Sequence, residues 1–356
     1  MKATKPLLIF GTMLVVGGCG PLVPVESTTR VEGSYDTMTR YDFSTASGML
    51  TEAAGSWTAP DRALTESIIG QVSTMYGSDI AQTLSNQFGS QIQSQIRTYL
   101  QAESPSWVFN MGPHLDGVDA KLKTVDAQST WVVGETSGGQ YEVTQIWNGF
   151  SVFKDPACRG AGNLICEQTH YTTEALLDAE YPIEIVSTRS EGVTTSAGLF
   201  VDSHSVEFNY GRLGLYMLVD ALLPPESREG SVGLRDVALG AINCRGLAGR
   251  LAGDDGIFGF DLAGVRIGLS LNDLIGSCQD GIFGIVNRFV DRFHIPLNMN
   301  IKSNARLVDT NRDGRINRLD DGKVDGMMNL TRGSAVGQEG PVSGEFTGFR
   351  VGSFGK

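Results

Sequence analysis

Leu297-Asn298-Met299-Asn300-Ile301-Lys302-Ser303-Asn304-Ala305-Arg306-Leu307-Val308, followed without a break by Asp309-Thr310-Asn311-Arg312-Asp313-Gly314-Arg315-Ile316-Asn317-Arg318-Leu319-Asp320, is the stretch that decides how this chain is read. In the first twelve residues Leu297, Met299, Ile301, Ser303, Ala305 and Leu307 alternate with polar neighbours, the period-two pattern of a half-buried strand. The next twelve place side-chain oxygens at loop positions 1, 3, 5, 9 and 12, with glycine at 6 and an apolar residue at 8. Calcium is a hard cation that takes six to eight oxygens, and a chain supplies them by curling round the ion. Asp309, Asn311, Asp313, Asn317 and Asp320 are the expected side-chain ligands, with the carbonyl of Arg315 as the backbone ligand. Gly314 permits the turn and Ile316 pins it to the core.

This dodecapeptide resembles an EF-hand loop, and more closely its dockerin-type variant, which also ends in Asp. The resemblance covers these twelve residues. A strand precedes the loop where an EF-hand has its entering helix, so a calcium loop between strands is expected. Arg312, Arg315 and Arg318 offset Asp309, Asp313 and Asp320, and an Asp at position 12 is shorter than the usual Glu. Weak affinity follows, with a Kd of order 10⁻⁴ to 10⁻³ M. Downstream, residues 323–331 and 341–351 predict a C-terminal hairpin whose register a bound ion would fix.

At the other end, Lys2 and Lys5 precede a largely apolar run from Leu7 to Val16, and Val16-Gly17-Gly18-Cys19 closes it with small residues. Residues 1–18 read as an export signal, since the run falls short of the roughly 20 residues a spanning helix needs. The end of this segment resembles the lipobox of bacterial lipoproteins. That resemblance implies that Cys19 becomes an acylated first residue, so that the membrane is a partner through the lipid. Gly20 leaves the position after the cysteine without the Asp of inner-membrane retention, which implies the outer membrane of a bacterial envelope. Removing residues 1–18 takes away two lysines and no acid, so the formal charge moves from -12 to about -14, which disfavours nucleic acid as a partner.

Four further cysteines, Cys158, Cys166, Cys244 and Cys278, suit two disulfides in an oxidising compartment. Of three connectivities, Cys158 with Cys166 and Cys244 with Cys278 is favoured because each pair brackets one segment. Zinc is disfavoured by the spacing and by the lack of a histidine cluster.

Between the termini, residues 19–56 read as a lipidated N-terminus and tether. Residues 57–228 read as helices followed by an antiparallel sheet. Thr58-Ala59-Pro60-Asp61 suits a helix start, and Gly77-Ser78 a break. Ile80, Leu84, Phe88, Ile92, Ile96 and Leu100 then recur every four residues, which fits a long helix laid diagonally across a sheet or an interaction helix. Candidate strands are 118–125, 130–135, 140–153, 183–188 and 199–208, with turns at Gly138-Gly139 and Glu191-Gly192. Trp131, Tyr141, Trp147, Phe150 and Phe153 suit a core or the wall of a ligand cavity. Tyr210 to Leu223 reads as a short apolar helix. Residues 229–296 read as a helical segment joined by the Cys244–Cys278 bond, either a core pair or a surface for lipid or a partner. Residues 297–356 complete the sheet.

The fold class expected is therefore α+β: an antiparallel sheet packed by a long N-terminal helix, with a disulfide-linked helical segment and a C-terminal β-hairpin. No G-x-S-x-G, H-E-x-x-H or phosphate-loop motif is present, and His114, His170, His204 and His294 are dispersed. The function expected is that of a calcium-stabilised lipoprotein acting as a binding or surface-interaction module for a protein or lipid partner. A carrier of lipid or another hydrophobic ligand comes second, and an enzyme acting on envelope polymers third.

Overall fold

The computed structural model describes residues 30–55, 57, 59–137, 140–155, 166–223, 233–253, 256–262, 265–331 and 337–352. The alternating stretch is strand β10 (Pro296–Val308), and both of its edges are paired. Its inward positions, Leu297, Met299, Ile301, Ser303, Ala305 and Leu307, are all buried. The other staves are β1 (Gly33–Asp42), β2 (Thr124–Ser137), β3 (Gln140–Phe153), β6 (Ser190–Thr195), β7 (Gly198–Asn209), β11 (Arg318–Leu330) and β12 (Glu339–Arg350). They pair in the order β1-β2-β3-β6-β7-β10-β11-β12, and β12 returns to β1 from Tyr35↔Arg350 to Asp42↔Ser343. The expected sheet is thus a closed eight-stranded antiparallel barrel, a form that leaves no open sheet edge. Two short strands attach to it: β4 (Gln168–Thr172) on β3 and β5 (Val186–Ser187) on β7.

Antiparallel order sends β1, β3, β7 and β11 toward one end of the barrel, and the helices gather there. They are α1 (Met49–Ala54), α2 (Pro60–Tyr76), α3 (Ser78–Glu103), α4 (Gly112–Leu122), α5 (Thr173–Leu177), α6 (Tyr210–Leu222), α7 (Leu234–Ala241), α8 (Cys244–Ala252) and α9 (Leu271–Arg292). α4 runs into β2, β7 into α6 and α9 toward β10, so the helical layer grows from the strand ends. Gly211 allows that junction, since a Cβ there would lie 2.2 Å from the carbonyl oxygen of Phe293. Beneath the helices, Tyr41 stacks on Trp147 at 5.3 Å between ring centroids, and Phe150 meets Phe208 at 5.4 Å. Trp131, Tyr141, Trp147, Phe150 and Phe153 are all buried, and Trp131 packs on Phe346 at 4.8 Å. Apolar area withdrawn from water in this way is the main stabilising term.

The barrel interior also holds a polar chain. Gln145 Nε2 donates to Ser129 Oγ at 3.0 Å, Ser129 Oγ meets Thr37 Oγ1 at 2.8 Å, and His204 Nε2 meets Gln145 Oε1 at 3.2 Å.

Several expectations are corrected. The expected tether, residues 19–56, contains β1 and α1. Its inward residues Tyr35, Thr37, Thr39 and Tyr41 are buried, but two are threonines and outward Met38 is apolar, which hides the alternation. Residues 118–125, expected as a strand, are the end of α4 and the start of β2, and β2 continues through 130–135. Glu191-Gly192 lies inside β6 and is not a turn, and Gly138-Gly139 lies outside the described residues. Only Val186 and Ser187 of 183–188 are strand.

The break at Gly77 is found, with φ +93, and α2 begins at Pro60, while Thr58 lies outside the described residues. α3 does not lie across the sheet. It packs against α2, with Leu84, Ile92, Ile96 and Leu100 buried, and is tied to α2 by Arg97 and Gln93 on the buried Asp61 carboxylate. Phe88 of α3 meets Phe260 at 5.2 Å on the hairpin of β8 (Ile257–Leu262) and β9 (Val265–Ser270), which interrupts the segment expected to be wholly helical. Cys244 and Cys278 form the expected disulfide between α8 and α9. Cys166 is also disulfide-bonded, while Cys158 lies outside the described residues.

Candidate functional site

The loop between β10 and β11 sits at the barrel end opposite the helices. Gly314 adopts φ +79 and Arg312 φ +58, conformations that turn the chain back within a few residues. Asp309 Oδ1 accepts the Arg312 N–H at 2.7 Å, and its Oδ2 accepts the Gly314 N–H at 2.9 Å. Asp313 Oδ1 accepts the Arg315 N–H at 2.9 Å, and Asn311 Nδ2 donates to Asp313 Oδ2 at 3.1 Å. Asn317 closes the loop, accepting from Thr310 N at 3.1 Å and donating to Asn311 Oδ1 at 3.0 Å. Asp309, Asn311, Asp313, Arg315 and Asn317 therefore belong to one ordered turn.

Asp320 is placed differently. It lies in β11, with its carboxylate between Arg306, at 3.1 Å, and Arg318. Among the described residues no three His, Cys, Asp or Glu side chains are gathered as a metal-holding group. The donor set is nonetheless all oxygen and suits a hard cation, through Asp309 and Asp313 with the Asn311 and Asn317 amides and the Arg315 carbonyl. Both carboxylates already receive backbone N–H donors, so the fit is to a weak and partly hydrated ion.

Ile316 is buried, as loop position 8 predicts, and its neighbourhood joins the two ends of the chain. Arg30 N donates to Gly314 O at 2.9 Å, and Ile316 N donates to Arg30 O at 3.0 Å. The Ile316 carbonyl accepts from Tyr35 Oη at 3.2 Å and from Arg350 Nη1 at 3.1 Å. The start of the described chain is thus strapped to the loop. Cys19 and residues 1–18 lie outside the described residues. Ten residues lie between Cys19 and Arg30, a reach of about 40 Å when fully extended. Among the described residues no helix is long and apolar enough to cross a membrane.

Among the described residues at the helical end, a cleft lies on each side of the segment from Ala175 to Val186. The smaller, about 260 Å³, has Leu215, Val219 and Leu234 as apolar walls, Tyr181 and Tyr216 as rings, and Asp178, Glu180, Asp220 and Arg212 at its edge. Tyr171 stands edge-on to Tyr216 at 5.6 Å and donates to Asp220 Oδ2 at 3.2 Å. Glu180 is 3.8 Å from Arg235, and Arg212 Nη1 donates to Pro182 O at 3.1 Å. The Tyr181 hydroxyl is buried beside Glu180. Burial, with Glu180 adding, pushes Tyr181 up to about 12. Burial, with Asp220 adding, also raises Tyr216. The larger cleft, about 840 Å³, lies between Leu177, Val186 and Phe208, and Leu177 and Val186 are 45% and 49% exposed.

One pair escaped the sequence reading. Ser151 Oγ and His170 Nδ1 lie 2.6 Å apart across β3 and β4, a nucleophile-base distance. Ser151 is fully buried while His170 is exposed, and nearby Asp126 is held by Arg40 at 2.7 Å and Gln168 at 2.7 Å. The only signal available was the strand register that brings residues 151 and 170 opposite each other. His204 is buried in the barrel and shares no hydrogen bond with Ser203 among the described residues. Comparison of the chain with protein-family models, with curated proteins and with solved structures found no match.

Proposed function

We propose that this protein is a lipoprotein of the bacterial envelope, held to the outer membrane through Cys19, that presents a binding face on its helical end. One observation carries the reading: Arg30 is clamped to the β10–β11 loop, at the barrel end opposite both clefts. An acyl group about 40 Å or less from Arg30 keeps that end near the membrane. The closed barrel then acts as a rigid spacer, and the clefts flanking 175–186 face away from the lipid surface. A partner, protein or lipid-like, meets the chain there.

In this reading calcium is structural. Asp309, Asn311, Asp313, Asn317 and the Arg315 carbonyl would hold it, with Asp320 available only by leaving Arg306 and Arg318. The ion supplies charge compensation that stiffens the joint between anchor and barrel. At roughly millimolar calcium and a Kd of order 10⁻⁴ to 10⁻³ M, the stabilisation is about 0.4 to 1.4 kcal/mol.

Two measurements test the reading. Cells fed a labelled fatty acid should yield labelled, membrane-bound protein, and Cys19→Ala should yield neither label nor membrane association; a labelled Cys19→Ala chain would sink the anchor. Thermal unfolding in EGTA and through a calcium titration should show a rise of a degree or two that an Asp309→Ala/Asp313→Ala variant lacks. No rise in the unsubstituted chain would reduce the loop to an ordinary polar turn.

A further inference from the structure

We infer that the smaller helical-end cleft is a binding site for a small organic cation with an apolar body, such as a quaternary or protonated amine bearing an aryl or short alkyl group. The inference deepens the binding-face reading above and rests on it.

Shape and lining come first. A cavity of about 260 Å³ is small for a drug-sized ligand but suits one aryl ring with a compact head group. Leu215, Val219 and Leu234 offer an apolar floor that a fully hydrated ion would not choose. Around that floor stand Tyr181 and Tyr216, and ring faces attract cations through their quadrupole.

Charge then selects the sign. Asp178, Glu180 and Asp220 lie at the edge, and Asp291 adds to the negative field at Tyr181. Arg212 lines the cleft and donates to the Pro182 carbonyl, and Arg235 stands 3.8 Å from the lining residue Glu180. Among the described residues, four carboxylates stand against two guanidinium groups around this cleft. Burial is the main cause of the raised pKa of Tyr181 and Tyr216, and Glu180 and Asp220 respectively add to it. An anion would meet this field with its hydration stripped, while a neutral ligand would gain the apolar contacts alone. A cation with an apolar body gains both, and the Tyr181 hydroxyl offers a further oxygen toward an N–H or a polarised N–CH₃ group.

The test uses the full chain in a neutral detergent, titrated by calorimetry with benzyltrimethylammonium, benzyl alcohol and benzenesulfonate. The cation should bind at least about tenfold more tightly than either of the others. Asp220→Asn keeps an acceptor for Tyr171, and it should weaken the cation about tenfold while leaving the alcohol unchanged. Tyr216→Leu should weaken the cation by a similar factor. If Asp220→Asn misfolds, Asp178→Asn at an exposed position tests the same charge. Equal or tighter binding of the alcohol or the sulfonate overturns the assigned class and leaves a binding face standing. No binding by any probe, or cation binding indifferent to all three substitutions, overturns the inference altogether. The fatty-acid experiment decides the lipoprotein reading separately.

Discussion

Replacing both Cys244 and Cys278 by alanine should lower the melting temperature by about 6 °C, and the figure follows from the structure. The bond joins α8 to α9 across a sequence separation of 34, with the Cα atoms 5.6 Å apart. Closing a loop of that length removes about 12–13 cal/mol/K from the unfolded chain, roughly 4 kcal/mol at 25 °C. Unfolding entropy of about 2.1 cal/mol/K per residue gives a body of roughly 320 residues about 0.7 kcal/mol/K, hence the 6 °C. Alanine is the right replacement because Cys244 and Cys278 are buried, and serine would add two buried hydroxyls. The assay is circular dichroism during heating, with the double variant beside the unsubstituted chain before and after reduction. A fall below about 2 °C in both cases would refute the loop-entropy reasoning. A fall well beyond 10 °C would also refute it, because it would place the bond's contribution in native packing between α8 and α9.

Ile316→Ala should cost about 2–5 kcal/mol in denaturant unfolding, since it opens a cavity where the loop, Arg30 and Tyr35 meet; no loss would mean the loop is not pinned to the barrel. Asp61→Ala should destabilise by about 1–3 kcal/mol, because Gln93 and Arg97 lose their shared buried acceptor between α2 and α3, and a double-mutant cycle with Arg97→Ala should recover part of that loss. Burial lowers the pKa of His204 below 6.5, so the unfolded chain takes up the proton first. Stability from this group is whole above pH 6.5 and is lost as pH falls from 6.5 toward the folded pKa; a His204→Asn variant should flatten that slope, and an unchanged slope would assign it elsewhere.

Strand β10 is legible in the sequence because its inward positions are nearly all apolar, and β3 and β7 because Tyr141, Val143 and Trp147, and Leu199, Val201, Val206 and Phe208, recur at strand spacing although Gln145 and His204 also face inward. Helices α2, α3 and α6 are legible for the corresponding reason at helical period, and Pro60, Gly77 and the pair Pro224-Pro225 punctuate them. β1 was hidden because a barrel interior need not be apolar throughout. Thr37 and Thr39 face inward, Thr37 in the Ser129–Gln145–His204 chain, and inward threonines give a strand the polar look of a linker. Barrel closure was hidden for another reason. It rests on β12 meeting β1, residues some three hundred positions apart, and on β7 meeting β10, and no local period encodes a long-range pairing. The β8–β9 hairpin was masked by glycines, which weaken both strand and helix signals.

The loop shows how far ligand spacing can carry. Spacing names the oxygens at positions 1, 3, 5, 9 and 12 but is silent about other claimants on them. Asp309, Asn311, Asp313 and Asn317 are claimed locally, by N–H groups and amides of the same turn, and a turn of this length can exchange those bonds for an ion. Asp320 is claimed from the neighbouring strand. Strand register sets Arg306 of β10 opposite it, and at an irregularity between Leu319 and Gly322, with Asp321 at φ +49, the consecutive residues Leu319 and Asp320 are both buried. Arg306 lies outside the twelve-residue pattern, so no motif that stops at position 12 includes it. A calcium ion in this loop therefore competes with a folded ion pair at one ligand and with backbone donors at the others. That competition favours the weak, structural role given to it over that of a sensor, whose tight binding needs carboxylates free to turn toward the ion.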